Sequence, residues 1–151
     1  DTLGGKVQVI FKNLPVGLGS FTHWDRKLDG LLAQGVMSVQ AIKSVEFGLG
    51  NQYASTSGAN AHDEIFYQDK FKHYTNNAGG INGGITNGMP IVFRTAIKPT
   101  PSIFKEQNSV SLTNKTEKKI QIQGRHDPCI VQRAVPVVEA VTAITLLDII
   151  L

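Results

Sequence analysis

The chain has 151 residues, the usual length of a single domain, and 41% of them are hydrophobic, which is enough to form a buried core. Its formal net charge is only +3, and the densest basic run, Lys115–Lys119, has no aromatic side chains that could stack on bases. We therefore expect a weak attraction for small anions and no nucleic-acid partner.

Cysteine content and the two ends of the sequence bear on the cellular compartment. Cys129 is the only cysteine, which excludes an internal disulfide, and the first residues lack the charged and apolar pattern of a secretory signal. We therefore expect a cytoplasmic protein. The apolar segment Val135–Leu151 is shorter than the ~20 residues of a membrane span and carries Glu139 and Asp148, so we expect a buried helix and no membrane contact.

The first third of the chain predicts a strand, a loop, a helix and a second strand. Lys6–Lys12 has the alternation of a strand, and Asn13–Ser20 contains the proline and glycines of a loop. In Trp24–Gln34 the apolar residues recur at helical spacing, and Gly35 is a suitable helix end. Val39–Phe47 predicts a short strand.

The middle of the chain predicts a loop followed by three strands. Asn51–Asn60 is rich in small polar residues and predicts the loop. Ile91–Ile97 is the clearest strand, and the prolines that follow it cannot donate hydrogen bonds to a ladder and so end it. Ser109–Thr113 and Lys119–Gln123 predict a pair of strands.

The last segment, Pro136–Leu151, predicts a helix, with Pro136 in its first turn. Its polar residues form only one narrow stripe, so the helix should be covered nearly all round. These residues are Glu139, Thr142, Thr145 and Asp148. Strands placed before and between helices predict an α+β fold in one domain, residues 1–151, with helices packed against antiparallel sheet.

A glycine-rich segment, Asn76–Pro90, is the first candidate for a binding site, because it contains five glycines in fifteen residues. Glycine permits positive φ and a close approach of the backbone to a ligand, at an entropic cost. The segment is either a flexible loop or a backbone surface that faces a flat or phosphorylated ligand. It is not a dinucleotide fingerprint, since no G-x-G-x-x-G joins a strand to a helix.

Two shorter segments also carry polar groups between rigid residues. In Lys98–Ser102 a cation and hydroxyl groups surround two prolines, which suits a phosphate or an anionic ring, or else a rigid surface turn. In Gly124–Pro128 the proline favours an extended backbone at Asp127, so that Arg125, His126 and Asp127 fan out. Arg125 could grip a phosphate and Asp127 could accept a proton; alternatively, the two side chains simply pair.

Other candidates are weaker. The four histidines are widely spaced and form no metal-ligand pattern with Cys129, so we expect no metal site. Asp63 and Glu64 follow His62 and could be an acid/base pair, but charged residues before an apolar run more often cap or face solvent.

Seven runs of this sequence occur in the same order in chorismate synthases, which the chain therefore resembles. They are Gly17–Gly19, Trp24–Asp29, Met37–Gly48, Asn76–Pro90, Lys98–Ser102, Gly124–Cys129 and Arg133–Ala140. The family's serine-histidine and arginine-rich segments have no counterpart here. The resemblance thus implies the C-terminal portion of such an enzyme. Two positions depart from the common pattern: Ser44 stands where many members have glycine, and Gln40 where many have asparagine.

The resemblance implies a lyase of the shikimate pathway, which supplies aromatic amino acid biosynthesis. The family converts 5-enolpyruvylshikimate 3-phosphate to chorismate and phosphate by a 1,4-anti elimination. It requires reduced FMN although there is no net oxidation, and some members have an NADP-dependent flavin reductase activity of their own. The family also implies a β-α-β sandwich, with helices between antiparallel sheets, and a homotetramer. A second hypothesis is that this chain alone is an inactive folding or oligomerisation fragment.

The resemblance also assigns roles to individual residues. Flavin contacts are expected from Arg125 and the adjacent His126. Arg125 is expected to bind the substrate as well. Asp127 matches the carboxylate that takes a proton from the reduced flavin at N5, whereas His126 matches neither catalytic histidine of the family. We expect these groups around one pocket. The remaining flavin positions are Gln40, Ala41, Gly83, Lys98, Pro99, Thr100, Pro101 and Ser102.

Overall fold

A computed structural model describes residues 1–151, which form nine strands and three α-helices. The strands are β1 (Gly5–Phe11), β2 (Ile42–Phe47), β3 (Ile65–Gln68), β4 (Lys70–His73), β5 (Ile81–Asn82), β6 (Ile85–Thr86), β7 (Ile91–Ile97), β8 (Gln107–Ser111) and β9 (Thr116–Ile120). The helices are α1 (Leu28–Ser38), α2 (Gly58–Ala61) and α3 (Val131–Ile150), with 3-10 turns at Trp24–Arg26 and Gly50–Ser55. This mixture of helices and antiparallel strands confirms the α+β class.

The main sheet has three antiparallel strands in the order β1-β7-β2. Ile91, Phe93 and Ile97 of the central strand are buried, and the alternate residues Val92, Arg94 and Ala96 are half-buried, so that one face of the sheet points into the core. Thr95 is also buried, and its hydroxyl donates a 2.8 Å hydrogen bond to the carbonyl of Ser44. The three strands predicted from the sequence thus form this sheet, although β2 begins at Ile42 and not at Val39.

Helices α1 and α3 cover the inward face of the sheet. The buried residues of α1 repeat every fourth position, as expected for one face of a helix, and those of α3 do the same. Gly5 of β1 lies so close to α3 that a Cβ there would be 3.0 Å from a methyl carbon of Val131. The buried hydrophobic core consists of Val7, Leu28, Leu32, Val36, Ile42, Ile81, Ile91, Phe93, Ile97, Val138 and Leu146.

The predicted helix at Trp24–Gln34 is present, but both of its ends were predicted wrongly. Trp24 lies in a 3-10 turn with its side chain exposed, and α1 begins only at Leu28. Gly35 does not end the helix, which continues to Ser38. The reason is tertiary: a Cβ on Gly35 would lie 2.8 Å from Oγ1 of Thr145 on α3. Glycine at this position allows the two helices to approach.

The C-terminal helix also differs from the prediction. It begins at Val131, so Pro136 lies inside it and not in its first turn. Proline lacks the N–H that would bond to the carbonyl of Gln132, and this carbonyl belongs to an exposed residue. The prediction of one polar stripe on this helix was also wrong at Thr142. Thr142 is buried, and its hydroxyl donates a 2.7 Å hydrogen bond to the carbonyl of Val138 one turn earlier, which removes the cost of burial.

One face of α3 carries exposed apolar side chains, contrary to the expectation that the helix is covered nearly all round. Val137 is 46% exposed, Ile144 66% and Leu147 54%. These residues and Leu151 are spaced by seven, three and four positions, which are about two, one and one helical turns, so they form one stripe, which we call the outer stripe of α3. The main sheet and α1 cover only the opposite side of the helix. No helix in the structure is both long enough and apolar enough to cross a membrane.

The remaining strands form three hairpins. The predicted pair near residues 109–123 is confirmed as β8 and β9, although both strands begin earlier than expected. Strands β3 and β4 form a hairpin that the sequence did not predict, and β5 and β6 form a short one within the glycine-rich segment. The predicted loop Asn51–Asn60 was partly wrong, because it contains most of the second 3-10 turn and part of α2.

Candidate functional site

The Lys98–Ser102 turn lies beside Gln40 and Ala41, although nearly sixty positions separate them in the sequence. Lys98 follows the end of β7, and its N–H donates a 2.9 Å hydrogen bond to the carbonyl of Ala41. Ala41 directly precedes β2 and has a backbone φ of 75°. Residues other than glycine seldom adopt this left-handed conformation. Such a conformation persists only where the surroundings impose it, and here it brings the Gln40–Ala41 corner against the Lys98 turn.

The N-terminal residues join this turn to the Gly124–Pro128 segment. The hydroxyl of Thr2 donates a 2.6 Å hydrogen bond to the carbonyl of Thr100, and the N–H of Leu3 donates one of 2.8 Å to the carbonyl of Pro128. Leu3 also forms a parallel bridge with Cys129. The three segments that carry Gln40, Lys98 and Asp127 therefore meet at one end of the main sheet. We call this region the Lys98 end.

Asp127 shares a cleft of about 500 Å³ with Gln40. Its Oδ2 lies 3.0 Å from Nη1 of Arg133, in the first turn of α3, while Oδ1 has no hydrogen-bond partner. The pairing of Asp127 with Arg125 that the sequence left open is therefore not formed. Arg125 is exposed and forms no ion pair, so its guanidinium is available to an anion. The sequence did not predict that Arg133 pairs with Asp127, although Arg133 lies close after Asp127 in the sequence.

His126 and Thr100 complete the polar groups at the Lys98 end. Nε2 of His126 lies 3.3 Å from the carbonyl of Ile122, and His126 lines a second cleft, of about 270 Å³, together with Thr2. Oγ1 of Thr100 is buried and has no hydrogen-bond partner in the protein. A buried hydroxyl without a partner is costly, so this atom is suited to bond a bound ligand. A free cation and a partnerless hydroxyl suit a phosphate or another anionic group.

The glycines of Asn76–Pro90 serve two different purposes. A Cβ on Gly79, Gly80 or Gly84 would lie within 2.7 Å of a backbone atom, so these glycines are required by packing of the chain against itself. Gly83 is different: it has a φ of 60°, and a Cβ there would meet nothing within 4 Å. Among these four, Gly83 alone therefore offers an open backbone that a ligand could approach.

Gly83 lies far from the Lys98 end. Gly80 packs against Pro90, just before β7, whereas Lys98 directly follows that strand. The seven residues of β7 span about 20 Å. The expected single pocket is therefore not formed within one chain: the structure brings together the Gln40, Lys98 and Asp127 segments and leaves Gly83 apart.

A third cleft, of about 520 Å³, lies beside the Gly83 turn and is bordered by Asp63, Tyr53, His73 and Asn82. Oδ1 of Asp63 accepts hydrogen bonds from the Thr75 hydroxyl and from the N–H of Asn77 at 2.7 Å, and Oδ2 accepts one from the N–H of Ala78 at 2.8 Å. The sequence suggested capping for this residue, and the structure shows that it binds loop amides and not those of a helix.

The carboxylate of Asp63 also affects ionisation in this cleft. Partial burial acts to raise its pKa, but the hydrogen bonds from Thr75, Ala78 and Asn77, with the nearby His73, outweigh burial and lower the pKa from its ordinary value. The pKa of Tyr53 is raised by burial and by the charge of Asp63. The structure contains no group of three or more His, Cys, Asp or Glu side chains that could hold a metal ion.

Comparisons with known proteins give one family. The family model for chorismate synthase matches residues 1–151. The chorismate synthase of Caldicellulosiruptor saccharolyticus is 51% identical over 148 residues, which are 97% of this chain and 39% of the relative. That of Archaeoglobus fulgidus is 51% identical over 149 residues, which are 98% of this chain and 41% of the relative.

A comparison of the fold with solved structures gives the same family. A crystal structure of chorismate synthase matches with a TM-score of 0.79 and 41% identity, over 98% of this chain and 37% of that one. The chain thus spans about two fifths of the length of its relatives. Because the family model matches every residue and the similarity extends to the fold, this chain belongs to the chorismate synthase family.

Proposed function

We propose that this chain supplies the Lys98 end as part of the active site of a chorismate synthase. That enzyme eliminates phosphate from 5-enolpyruvylshikimate 3-phosphate to form chorismate, with reduced FMN as cofactor. The observation that carries the proposal is the meeting of Gln40, Lys98 and Asp127 at one end of the sheet, with Thr100 Oγ1 buried and without a partner. When bound, the reduced flavin would supply electron density to the substrate while phosphate leaves.

The residues of the Lys98 end have distinct tasks in this proposal. Lys98 and Arg125 provide positive charge for the phosphate and carboxylate groups of the ligands. Thr100 provides a hydroxyl and Gln40 an amide, each able to donate or accept a hydrogen bond. Asp127 accepts a proton at Oδ1, because Arg133 already occupies and orients Oδ2.

The elimination itself breaks two bonds of the substrate. The C–O bond to phosphate breaks and phosphate departs, a ring C–H bond breaks, and a second ring double bond forms. Two cations are few for a substrate that carries a phosphate and two carboxylates. We therefore expect the remainder of the family's chain to supply further cations, and we expect no turnover from these 151 residues alone.

The test is an anaerobic assay of phosphate release with photoreduced FMN. It is run with this chain, with the separately expressed remainder of a family enzyme, and with both together. Activity only on mixing is the expected result, and turnover by the chain alone would overturn the proposed division of labour.

A second hypothesis, an inactive folding or assembly fragment, is favoured by the exposed outer stripe of α3. Binding of reduced FMN distinguishes the two hypotheses. The Lys98 end predicts weak binding by the chain alone, whereas an assembly fragment predicts none.

A further inference from the structure

We propose that the β3–β4 hairpin is a lid that closes over the cleft beside the Gly83 turn. We call residues Glu64–Tyr74 the arm, because they form this hairpin and its two ends. Closure buries one face of the arm against Val16, which borders the same cleft. The inference does not rest on the proposed function, since this cleft lies apart from the Lys98 end.

The arm is attached to the rest of the chain only at its base. The N–H of Tyr74 donates a 3.0 Å hydrogen bond to the carbonyl of Glu64, and Nδ1 of His73 lies 3.2 Å from the carbonyl oxygen of Asp63. Beyond Asp63, no hydrogen bond or ion pair joins the arm to the rest of the protein. No residue of the arm is buried, and neither strand packs extensively against another element. A segment held in this way can move as a unit.

Two aromatic pairs stiffen the arm. The rings of Tyr67 and Phe71, which are opposite each other in the hairpin, meet edge-on with their centroids 5.2 Å apart. Nearer the base, Phe66 and Tyr74 stack with their centroids 4.2 Å apart. Aromatic pairs of this kind stabilise the pairing of two strands. The arm should therefore pivot at Asp63 and not bend along its length.

One face of the arm looks onto the cleft. Alternate residues of a strand share a face, and the pairing places Ile65 opposite His73 and Tyr67 opposite Phe71, so these four side chains lie on the same face. Ile65 and His73 border the cleft, and Tyr67 and Phe71 extend this face towards the tip of the arm. Tyr67 is 69% exposed and Phe71 78%. The cleft side of the arm thus carries aromatic surface that the open position leaves in solvent.

Val16 offers a fixed apolar surface on the body of the protein. It borders the same cleft and is 73% exposed. Both of its neighbours are tied to Thr86, since the Thr86 hydroxyl bonds to the carbonyl of Pro15 and the N–H of Gly17 donates a 2.9 Å hydrogen bond to the Thr86 carbonyl. Closure of the arm would bury both apolar surfaces and exclude water from the cleft.

Disulfide formation between two introduced cysteines measures this closure. The test pair is Val16→Cys with Tyr67→Cys, both at exposed positions, in a chain that carries Cys129→Ala to remove the natural thiol. A disulfide requires Cα atoms within about 7 Å, so the rate at which the pair joins within one chain reports how often the arm closes. The matched control is Val16→Cys with Gln68→Cys. Gln68 is the exposed neighbour of Tyr67 and lies on the opposite face of the arm.

At low protein concentration, we expect the Tyr67 pair to join about tenfold faster than the Gln68 pair, because only the first lies on the closing face. Adding Phe71→Ser should slow the Tyr67 pair about tenfold, since closure then buries less apolar surface. Adding Lys70→Ser, which changes an exposed residue of the opposite face, should leave the rate unchanged.

Four results would overturn the proposal. Equal rates for the two pairs would mean that the arm has no preferred direction, and no disulfide in either pair would mean that it stays open. Disulfides that join two chains in place of one would assign the aromatic face to a second copy of the chain. An unchanged rate with Phe71→Ser would mean that burial of this face does not drive closure.

Discussion

Gly35 of α1 faces Thr145 of α3 so closely that a Cβ on the glycine would lie 2.8 Å from the threonine hydroxyl oxygen. Gly35→Ala should therefore destabilise the fold. Overpacking costs typically 1–3 kcal/mol, and the better helix propensity of alanine recovers about 1 kcal/mol of this. We expect a net loss of about 1 kcal/mol in the free energy of unfolding, measured by urea denaturation.

Gly30 provides the control for that experiment. It lies on the same helix, and a Cβ there would make an ordinary 3.6 Å contact with the carbonyl oxygen of Trp24. Gly30→Ala should stabilise the protein by about 0.5–1 kcal/mol. Equal effects of the two substitutions would mean that the helix crossing does not depend on Gly35.

The lowered pKa of Asp63 predicts a dependence of stability on pH. Because its pKa is lower in the folded chain than in the unfolded chain, the ionised carboxylate stabilises the fold above its unfolded pKa. This stability should be lost as pH falls through the folded pKa. The stability difference between the parent chain and Asp63→Asn should thus be largest near neutral pH and shrink in acid. The ordinary pKa of a carboxyl group places the test range between neutral pH and about pH 3. If the stability difference between the two proteins stays constant over this range, the pKa of Asp63 is not lowered in the folded chain.

Asp127→Asn should impair catalysis more than binding in the full-length enzyme. A proton acceptor acts on the chemical step, so kcat should fall by about 10² to 10⁴-fold while flavin affinity changes much less. Glu139→Gln, which removes an exposed carboxylate on α3, is the control and should leave both quantities unchanged. Equal losses of kcat and flavin affinity would make Asp127 a binding or structural residue instead.

The outer stripe of α3 should make the isolated chain associate with itself. Exposed Ile144 and Leu147 lie one turn apart, and a contiguous apolar surface favours contact with another protein surface. Replacing both by glutamate should shift sedimentation toward a monomer. The same change at Val110, which is exposed on β8, should not. If the parent chain is already monomeric at high concentration, the stripe does not drive assembly.

Local patterns in the sequence were sufficient to predict several elements. The alternation in Ile91–Ile97 and the prolines after it indicated the central strand, since both signals act within a few residues. The helical spacing around Leu28–Leu32 indicated α1 for the same reason. The unusual composition of Lys98–Ser102 and Gly124–Pro128 indicated two segments that the structure brings together at the Lys98 end. In Asn76–Pro90, by contrast, Gly79, Gly80 and Gly84 are required by packing of the chain against itself.

Tertiary contacts decided the rest. Gly35 is a helix-ending residue by propensity, yet it lies within α1 because α3 needs the space, and Thr142 is polar by composition, yet its bond to the Val138 carbonyl permits burial. The partner of Asp127 is Arg133 and not Arg125, because the start of α3 sets the direction in which each side chain points. The separation of Gly83 from Lys98 depends on the path of β7 through the sheet. Such distances are fixed by how elements pack together, and spacing along the chain carries no information about them.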